Sequence, residues 1–315
     1  MKKWLECPCC HRKFELNDGN LICPDCSKTG KHYELTVCYD YDHATADEKE
    51  SLKHVQRDIW GYKSFLPVTE AAQPVTMGEG ATPLTKLLAA ERKGYGNIWC
   101  KNESQNPTWS HKDRLNSVLA TAARSINRKD ICCSSTGNHG LSAAAYAARS
   151  GAKSIILFPP ETPKLMVDLA SSYGALSIIT EWHARDAMLK HLISKGWFPF
   201  TSPKDSLTSN PYGGEGYKTI AYEIVADLGR VPDKVLVPVA AGALLYGAYK
   251  GFVELKKLGL TNKIPQFVAC QPKGANVLAR AFATHSEKAE RLPGAFSIAT
   301  STREESVGNK ALKVS

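Results

Sequence analysis

From Ile131 to Pro272 short apolar runs and helix-length segments take turns along the chain. Ile131-Cys132-Cys133 reads as a strand, and Leu141 to Ser150 as a helix with small residues on every face. Ser154 to Phe158 is an apolar strand stopped by Pro159-Pro160; a helix over Thr162 to Tyr173 is ended by Gly174. A strand at Leu176 to Thr180 and a helix at Ala184 to Lys195 follow. A second unit opens with a helix from Tyr217 to Leu228, apolar on one face at Ile220, Ile224 and Leu228. It continues as strand Lys234 to Val239, turn Ala240 to Leu244, helix Leu245 to Leu258 and strand Gln266 to Pro272. Strands separated by crossover helices pair in parallel and need helices on both faces, so the predicted class is α/β with open parallel sheets. With 315 residues there is room for two such domains and a small appendage.

The appendage is at the N-terminus. Cys7 and Cys10, then Cys23 and Cys26, form two C-x2-C knuckles twelve residues apart. Four thiolates so spaced suit tetrahedral zinc, and four would close its shell and make the metal structural. Asp18-Gly19 between them signals a hairpin, so a zinc ribbon is expected, either metal-bound or as a metal-free remnant. Cys9 is a spare thiol. The net charge of +9 comes from lysines and arginines scattered singly or in pairs. That fits a solvated surface, or an electropositive site for anionic ligands, better than a nucleic-acid face. No run is apolar enough to span a bilayer and the first residues carry no signal-peptide stretch, which predicts a cytoplasmic protein with reduced or metal-bound cysteines.

In open parallel sheets ligands sit where strands run into helices. Ala240-Ala241-Gly242-Ala243-Leu244 is a side-chain-poor turn before a helix, suited to a phosphate or merely to close packing. Ser134-Ser135-Thr136-Gly137-Asn138-His139-Gly140 offers hydroxyls, an amide and N–H groups for a carboxylate, or an ordinary helix cap. Asn106-Pro107-Thr108-Trp109-Ser110-His111-Lys112-Asp113-Arg114 brings a lysine to the mouth of a helix. A lysine beside Asp and Arg is commonly a solvated charge; a reactive one needs burial or nearby positive charge to lower its pKa. A phosphate site, a carboxylate site and an amine nucleophile together describe a pyridoxal phosphate enzyme acting on an amino acid.

The chain resembles the threonine synthase branch of the tryptophan-synthase-β-like, fold type II, pyridoxal phosphate enzymes, from the ribbon to about residue 305. The resemblance is carried by Gly78-Glu79-Gly80-Ala81-Thr82-Pro83-Leu84, by Asn106–Arg114, Ser134–Gly140 and Pro238–Gly247, and by Asn210-Pro211-Tyr212-Gly213-Gly214-Glu215-Gly216-Tyr217-Lys218-Thr219. It implies that Lys112 holds the cofactor as a Schiff base and then moves protons. It also implies that Asn138 meets the cofactor's phenolic oxygen and that Ala240, Ala241, Gly242, Ala243 and Leu244 cradle its phosphate. Ser135, Thr136 and His139 would border the substrate carboxylate, and Lys218 would stand near a substrate phosphate or at a domain interface. The implied organisation is a ribbon-like segment over 1–40, a large domain from 55–114 and 197–315, and a small domain over 115–196. The implied activity is that of a carbon–oxygen lyase: removal of an α-proton, then elimination or replacement at the β or γ carbon, with O-phosphohomoserine to threonine as the first choice. Homodimers are the family's habit. The rivals are β-eliminating or β-replacing enzymes of the threonine dehydratase, cysteate synthase or diaminopropionate ammonia-lyase type, and a non-catalytic relative that kept the fold as a binding protein.

Three departures accompany the resemblance. Trp109 and His111 stand where the family usually has glycine and phenylalanine. Alanines intervene in the phosphate turn, where each methyl restricts positive φ. The family's large domain also continues well beyond Ile298-Ala299-Thr300, and the part beyond normally faces the pyridine nitrogen; this chain stops at Asn309–Ser315 in what reads as the start of a helix. The expectation is either a fragment or a naturally shortened protein, the fragment being favoured because so short a helix is unstable alone.

Overall fold

The computed structural model describes residues 1–30, 33–201, 210–286, 288–308 and 310–314. Its N-terminal unit is a three-stranded antiparallel sheet of β1 (Lys3–Glu6), β2 (Lys13–Phe14) and β3 (Thr36–Tyr39), in the order β2-β1-β3, with a short helix α1 (Pro24–Lys28) before β3. The hairpin expected at Asp18-Gly19 does not form. Leu16–Asp18 is a 3-10 turn in which the Asp18 carboxylate accepts the Glu15 N–H at 3.0 Å, and Gly19 ends it at φ 71°. Asp18 thus caps its own turn, and the strand that pairs with β1 on the other side comes after the second cysteine knuckle.

Next come α2 (Ala46–Ser51), a 3-10 turn at Ile59–Phe65, β4 (Leu84–Lys86), α3 (Leu88–Arg92) and β5 (Trp99–Lys101), with β4 and β5 antiparallel. The alternating segment then appears as expected: α4 (Lys112–Ser125), β6 (Asp130–Ser134), α5 (Asn138–Ser150), β7 (Lys153–Phe158), α6 (Lys164–Ser172), β8 (Leu176–Ile179), α7 (Trp182–Ser194) and β9 (Phe198–Pro199). These strands form one parallel sheet ordered β8-β7-β6-β9, with Ile131 opposite Ser154 and Ile156 opposite Ser177. The small residues of α5 have a reason: a Cβ added at Gly140 would lie 2.8 Å from Ile156 Cγ2, so the helix rests directly on β7. The second unit is α8 (Lys218–Leu228), β10 (Lys234–Pro238), α9 (Ala243–Lys257), β11 (Gln266–Cys270) and α10 (Val277–Ala283), with β10 and β11 parallel. No described helix is long and apolar enough to cross a membrane.

One apolar cluster runs from Leu5 and Tyr39 of the N-terminal unit through Leu115, Tyr146 and Tyr217 to Phe252. The N-terminal unit is tied to the second by buried charge. Tyr39 Oη donates to Glu215 Oε2 at 2.9 Å, and Lys250 Nζ donates to Val37 O at 2.8 Å and Glu215 Oε1 at 2.6 Å. Asn309 and Ser315, at either end of the expected terminal helix, lie outside the described residues, and Ala311–Val314 is a 3-10 turn.

Candidate active site

Lys112 is the first residue of α4, and the chain before it is fixed by buried polar contacts. Asn106 Oδ1 accepts the Gly80 N–H at 3.0 Å while its Nδ2 donates to Glu103. Asp113 takes the Thr108 N–H at 2.6 Å, the Thr108 hydroxyl at 2.5 Å and the Ser142 hydroxyl at 2.6 Å. Arg114 is fully buried and forks between Glu103 (Nε to Oε2, 2.8 Å) and Glu223 (Nη1 to Oε1, 2.6 Å). The charges flanking Lys112 are therefore internal struts. Trp109 holds φ 61°, the left-handed conformation a glycine adopts without cost, and its indole is 62% exposed.

The Lys112 amine is held neutral-prone. Burial pushes its pKa below the usual lysine value, opposed by the charges of Cys133 and Glu304. Among the described residues no hydrogen bond or ion pair holds its Nζ, which lies 6.0 Å from the centre of the Tyr217 ring. His111 packs on the other part of that ring, centroids 5.5 Å apart, and burial keeps its imidazole uncharged. In the sequence Tyr217 is one residue of a glycine-rich motif at a helix start; its place beside Lys112 is legible only in three dimensions.

The Ser134–Gly140 loop joins β6 to α5 and is brought next to α4. His139 Nε2 meets Asn116 Oδ1 at 3.1 Å, and burial lowers its pKa to about 3, so the ring is neutral. Ser135 is spent on the loop itself: its Oγ accepts the Gly137 and Gly140 N–H groups at 3.1 and 2.8 Å. Thr136, Asn138 and His139 remain half-buried at the start of α5, where the first N–H groups have no helical partner. Ser135 is thus the loop's internal tie, while His139 is held against Asn116 of α4.

The Ala240–Leu244 turn caps α9. Gly242 alone holds positive φ, 96°, and it is the one glycine there; the three alanines sit in ordinary conformations. The methyls therefore strain nothing. The helix that the turn opens packs on Tyr217: a Cβ at Gly247, inside α9, would lie 2.6 Å from Tyr217 Cβ. Its outer side carries the chain end: the Gly308 N–H donates to Ala241 O at 2.9 Å and Ala311 packs on Gly242. Lys218 is elsewhere. Fully buried, it pairs with Glu215 Oε2 at 2.7 Å and Glu254 Oε1 at 2.8 Å, 3.9 Å over the Tyr39 ring, at the junction with the N-terminal unit.

The group that these residues would suit is a phosphorylated aldehyde. An unpaired amine with depressed pKa, a 15-residue helix with a glycine at its N-cap, and the half-buried Thr136, Asn138 and His139 at the start of α5 would supply a carbonyl partner, a phosphate seat and a polar rim. The residues fit pyridoxal phosphate. The thiols of Cys7, Cys10, Cys23 and Cys26 lie within 4.8 Å of one another, with Cys7–Cys26 at 3.8 Å and Cys10–Cys23 at 3.7 Å. A tetrahedron with zinc–sulfur bonds of about 2.3 Å has edges of about 3.8 Å. These four could hold zinc.

A family model described as pyridoxal-phosphate dependent enzyme matches residues 75–315. The threonine synthase of Methanocaldococcus jannaschii is 33% identical over 303 residues, covering 90% of this chain and 73% of its own length. That of Methanosarcina acetivorans is also 33% identical, over 88% of this chain and 66% of its own length. For the threonine synthase of Mycobacterium tuberculosis the figures are 36% identity, 69% and 60%, so the chain spans only about two thirds of such relatives. Among solved structures, maize serine racemase superposes with a TM-score of 0.64 at 22% identity over 74% of this chain and 68% of its own. Diaminopropionate ammonia lyase from Escherichia coli gives 0.64 at 17% identity over 86% and 70%. The structural matches share the fold.

Proposed function

The chain belongs to the pyridoxal-phosphate dependent enzyme family, and from that premise we propose that it is a lyase of the threonine synthase type, acting on an amino acid whose β or γ substituent leaves or is replaced. O-phosphohomoserine is the leading substrate, supported by the similarity to threonine synthases over most of the chain. The observation that carries the reading is Lys112: a half-buried residue at a helix start whose amine, of lowered pKa, is held by no hydrogen bond or ion pair among the described residues. When bound, the cofactor supplies an electron sink for the carbanion left by loss of an α-proton.

The protein's part is positional. Lys112 would hold the cofactor and, once released from it, carry the α-proton on its nitrogen, a task that a buried amine of reduced basicity suits. Thr136, Asn138 and the neutral His139 would orient the carboxylate and the ring oxygen with uncharged donors. Ser135 would act one step back, keeping the loop in shape through Gly137 and Gly140. Tyr217 would wall the lysine from the α9 side and exclude water. Zinc at Cys7, Cys10, Cys23 and Cys26 would take no part in the chemistry, its shell being closed.

The test is optical. Protein incubated with pyridoxal phosphate is expected to show the visible absorbance of a lysine-bound cofactor, and borohydride should fix the cofactor on the peptide containing Lys112. Lys112→Ala should abolish both. A wild-type protein that stays colourless with excess cofactor would sink the proposal and favour a non-catalytic relative. A screen of O-phosphohomoserine against serine, threonine and diaminopropionate then distinguishes the substrate choices.

A further inference from the structure

Among the described residues three buried side-chain polar atoms lack any hydrogen-bond partner: Thr162 Oγ1, Arg185 Nε and Tyr217 Oη. Their positions are not scattered. Tyr217 stands beside Lys112. Thr162 is in the loop that follows β7, and Arg185 in the first turn of α7, which follows β8. Both loops leave the same edge of the parallel sheet as the Ser134–Gly140 loop, which follows β6.

Arg185 is the unusual member. It is 3% exposed and its Nε has no hydrogen-bond partner, while the carboxylates of Glu161 and Glu304 act on it through charge alone. Buried charges are ordinarily paired, and a guanidinium offers five donors in a rigid fork. The acid on the neighbouring loop is already engaged: Glu161 Oε1 accepts from Trp182 Nε1 at 3.1 Å and from Arg303 Nη2 at 3.0 Å. The guanidinium lies over the Trp182 ring, with Cζ 3.9 Å from its centroid, a contact that uses none of its hydrogens. The Cys133 thiol, next to the last residue of β6, feels the positive charges of both Lys112 and Arg185.

We propose that Arg185 is the specificity-determining anchor of the site, taking the oxyanion at the far end of the substrate's side chain, so that the preferred substrates are amino acids ending in a phosphate or another acidic group. This rests on the reading of the Lys112 site as one for amino acids. A planar fork stacked on an indole matches an oxyanion in two parallel hydrogen bonds, and the missing partner is then the substrate itself.

The experiment uses the full chain loaded with pyridoxal phosphate and follows the cofactor's absorbance while O-phosphohomoserine or homoserine is added, in wild type, Arg185→Gln and Arg185→Lys. Wild type is expected to bind the phosphorylated compound more tightly. Arg185→Gln should weaken that binding roughly 10–100-fold, as loss of a charged hydrogen-bonding pair implies, and change homoserine binding less than about twofold. Arg185→Lys should keep the charge and recover only part. Inorganic phosphate, titrated by calorimetry into the cofactor-loaded chain without amino acid, should bind wild type and bind Arg185→Gln roughly 10–100-fold more weakly. Should Arg185→Gln fail to fold, Trp182→Leu tests the same fork by freeing it, and is expected to weaken phosphorylated substrate alone. Unchanged discrimination between the two compounds in these variants overturns the proposal, whereas a colourless wild type overturns the amino-acid reading instead.

Discussion

Trp109 pays a conformational cost that no contact visibly returns. Its φ of 61° belongs to the region that β-carbon sterics disfavour by about 1–2 kcal/mol, and most of its ring is in solvent. Trp109→Gly is therefore expected to leave stability unchanged or raise it by up to about 1 kcal/mol, after the greater chain entropy of glycine is deducted. Chemical denaturation measures it, and a clear fall in midpoint would refute the account. The sequence comparison with the family had marked this position, because a glycine is usual there; it could not show that the tryptophan keeps the glycine's backbone. Lys112 was equally legible as a residue before a helix. Its depressed pKa was not, because that comes from burial by elements distant in sequence. Lys218 illustrates the opposite case. Its motif suggested a phosphate or an interface, and only the fold shows it between Glu215 and Glu254 beneath Tyr39.

At the level of elements, α4 and the 3-10 turn Gly213–Tyr217 press together closely enough that a Cβ at Gly216 would fall 2.1 Å from Arg114 O. Gly216→Ala must part the two, displacing Tyr217 from Lys112. We expect it to cost about 1–3 kcal/mol and to weaken cofactor retention, read as a drop in thermal midpoint and in bound cofactor after dialysis. A variant as stable and as coloured as wild type would contradict the contact. Strand and helix order from β6 to β11 was readable because each element there has its own periodicity and its own stop signal, such as Pro159-Pro160 or Gly174. The hairpin at Asp18-Gly19 was misread because the same residues can close a 3-10 turn, and the choice between them is made by β3, whose pairing with β1 no local pattern announces.

Across the whole molecule, the N-terminal unit and the second parallel unit are joined through Glu215. Burial would raise its pKa, but the ammonium groups of Lys218 and Lys250 overcome that and hold it at about 2; Lys101 and Arg114 do the same for Glu223. A carboxylate depressed in the folded state adds stability that is complete above its unfolded value, near 4.5, and is lost as pH falls through about 2. Stability should therefore decline between those limits, and less steeply in a Glu215→Gln variant, whose lower starting point reflects two lysines left without their acid. Denaturation midpoints across that range check it. Chelation is expected to remove one zinc per chain and lower the thermal midpoint, measured by metal analysis beside calorimetry, while the lysine-bound cofactor remains.

The exposed indole of Trp109 has an optical consequence. Three residues span at most about 11 Å of backbone, so this ring lies well inside the range of dipole–dipole energy transfer to any chromophore on Lys112. The protein thus carries its own donor at the mouth of the site. Ultraviolet excitation should sensitise emission from the lysine-bound chromophore, and Trp109→Gly should dim that signal without altering the absorbance. Occupancy can then be followed by light alone, in real time and without turnover.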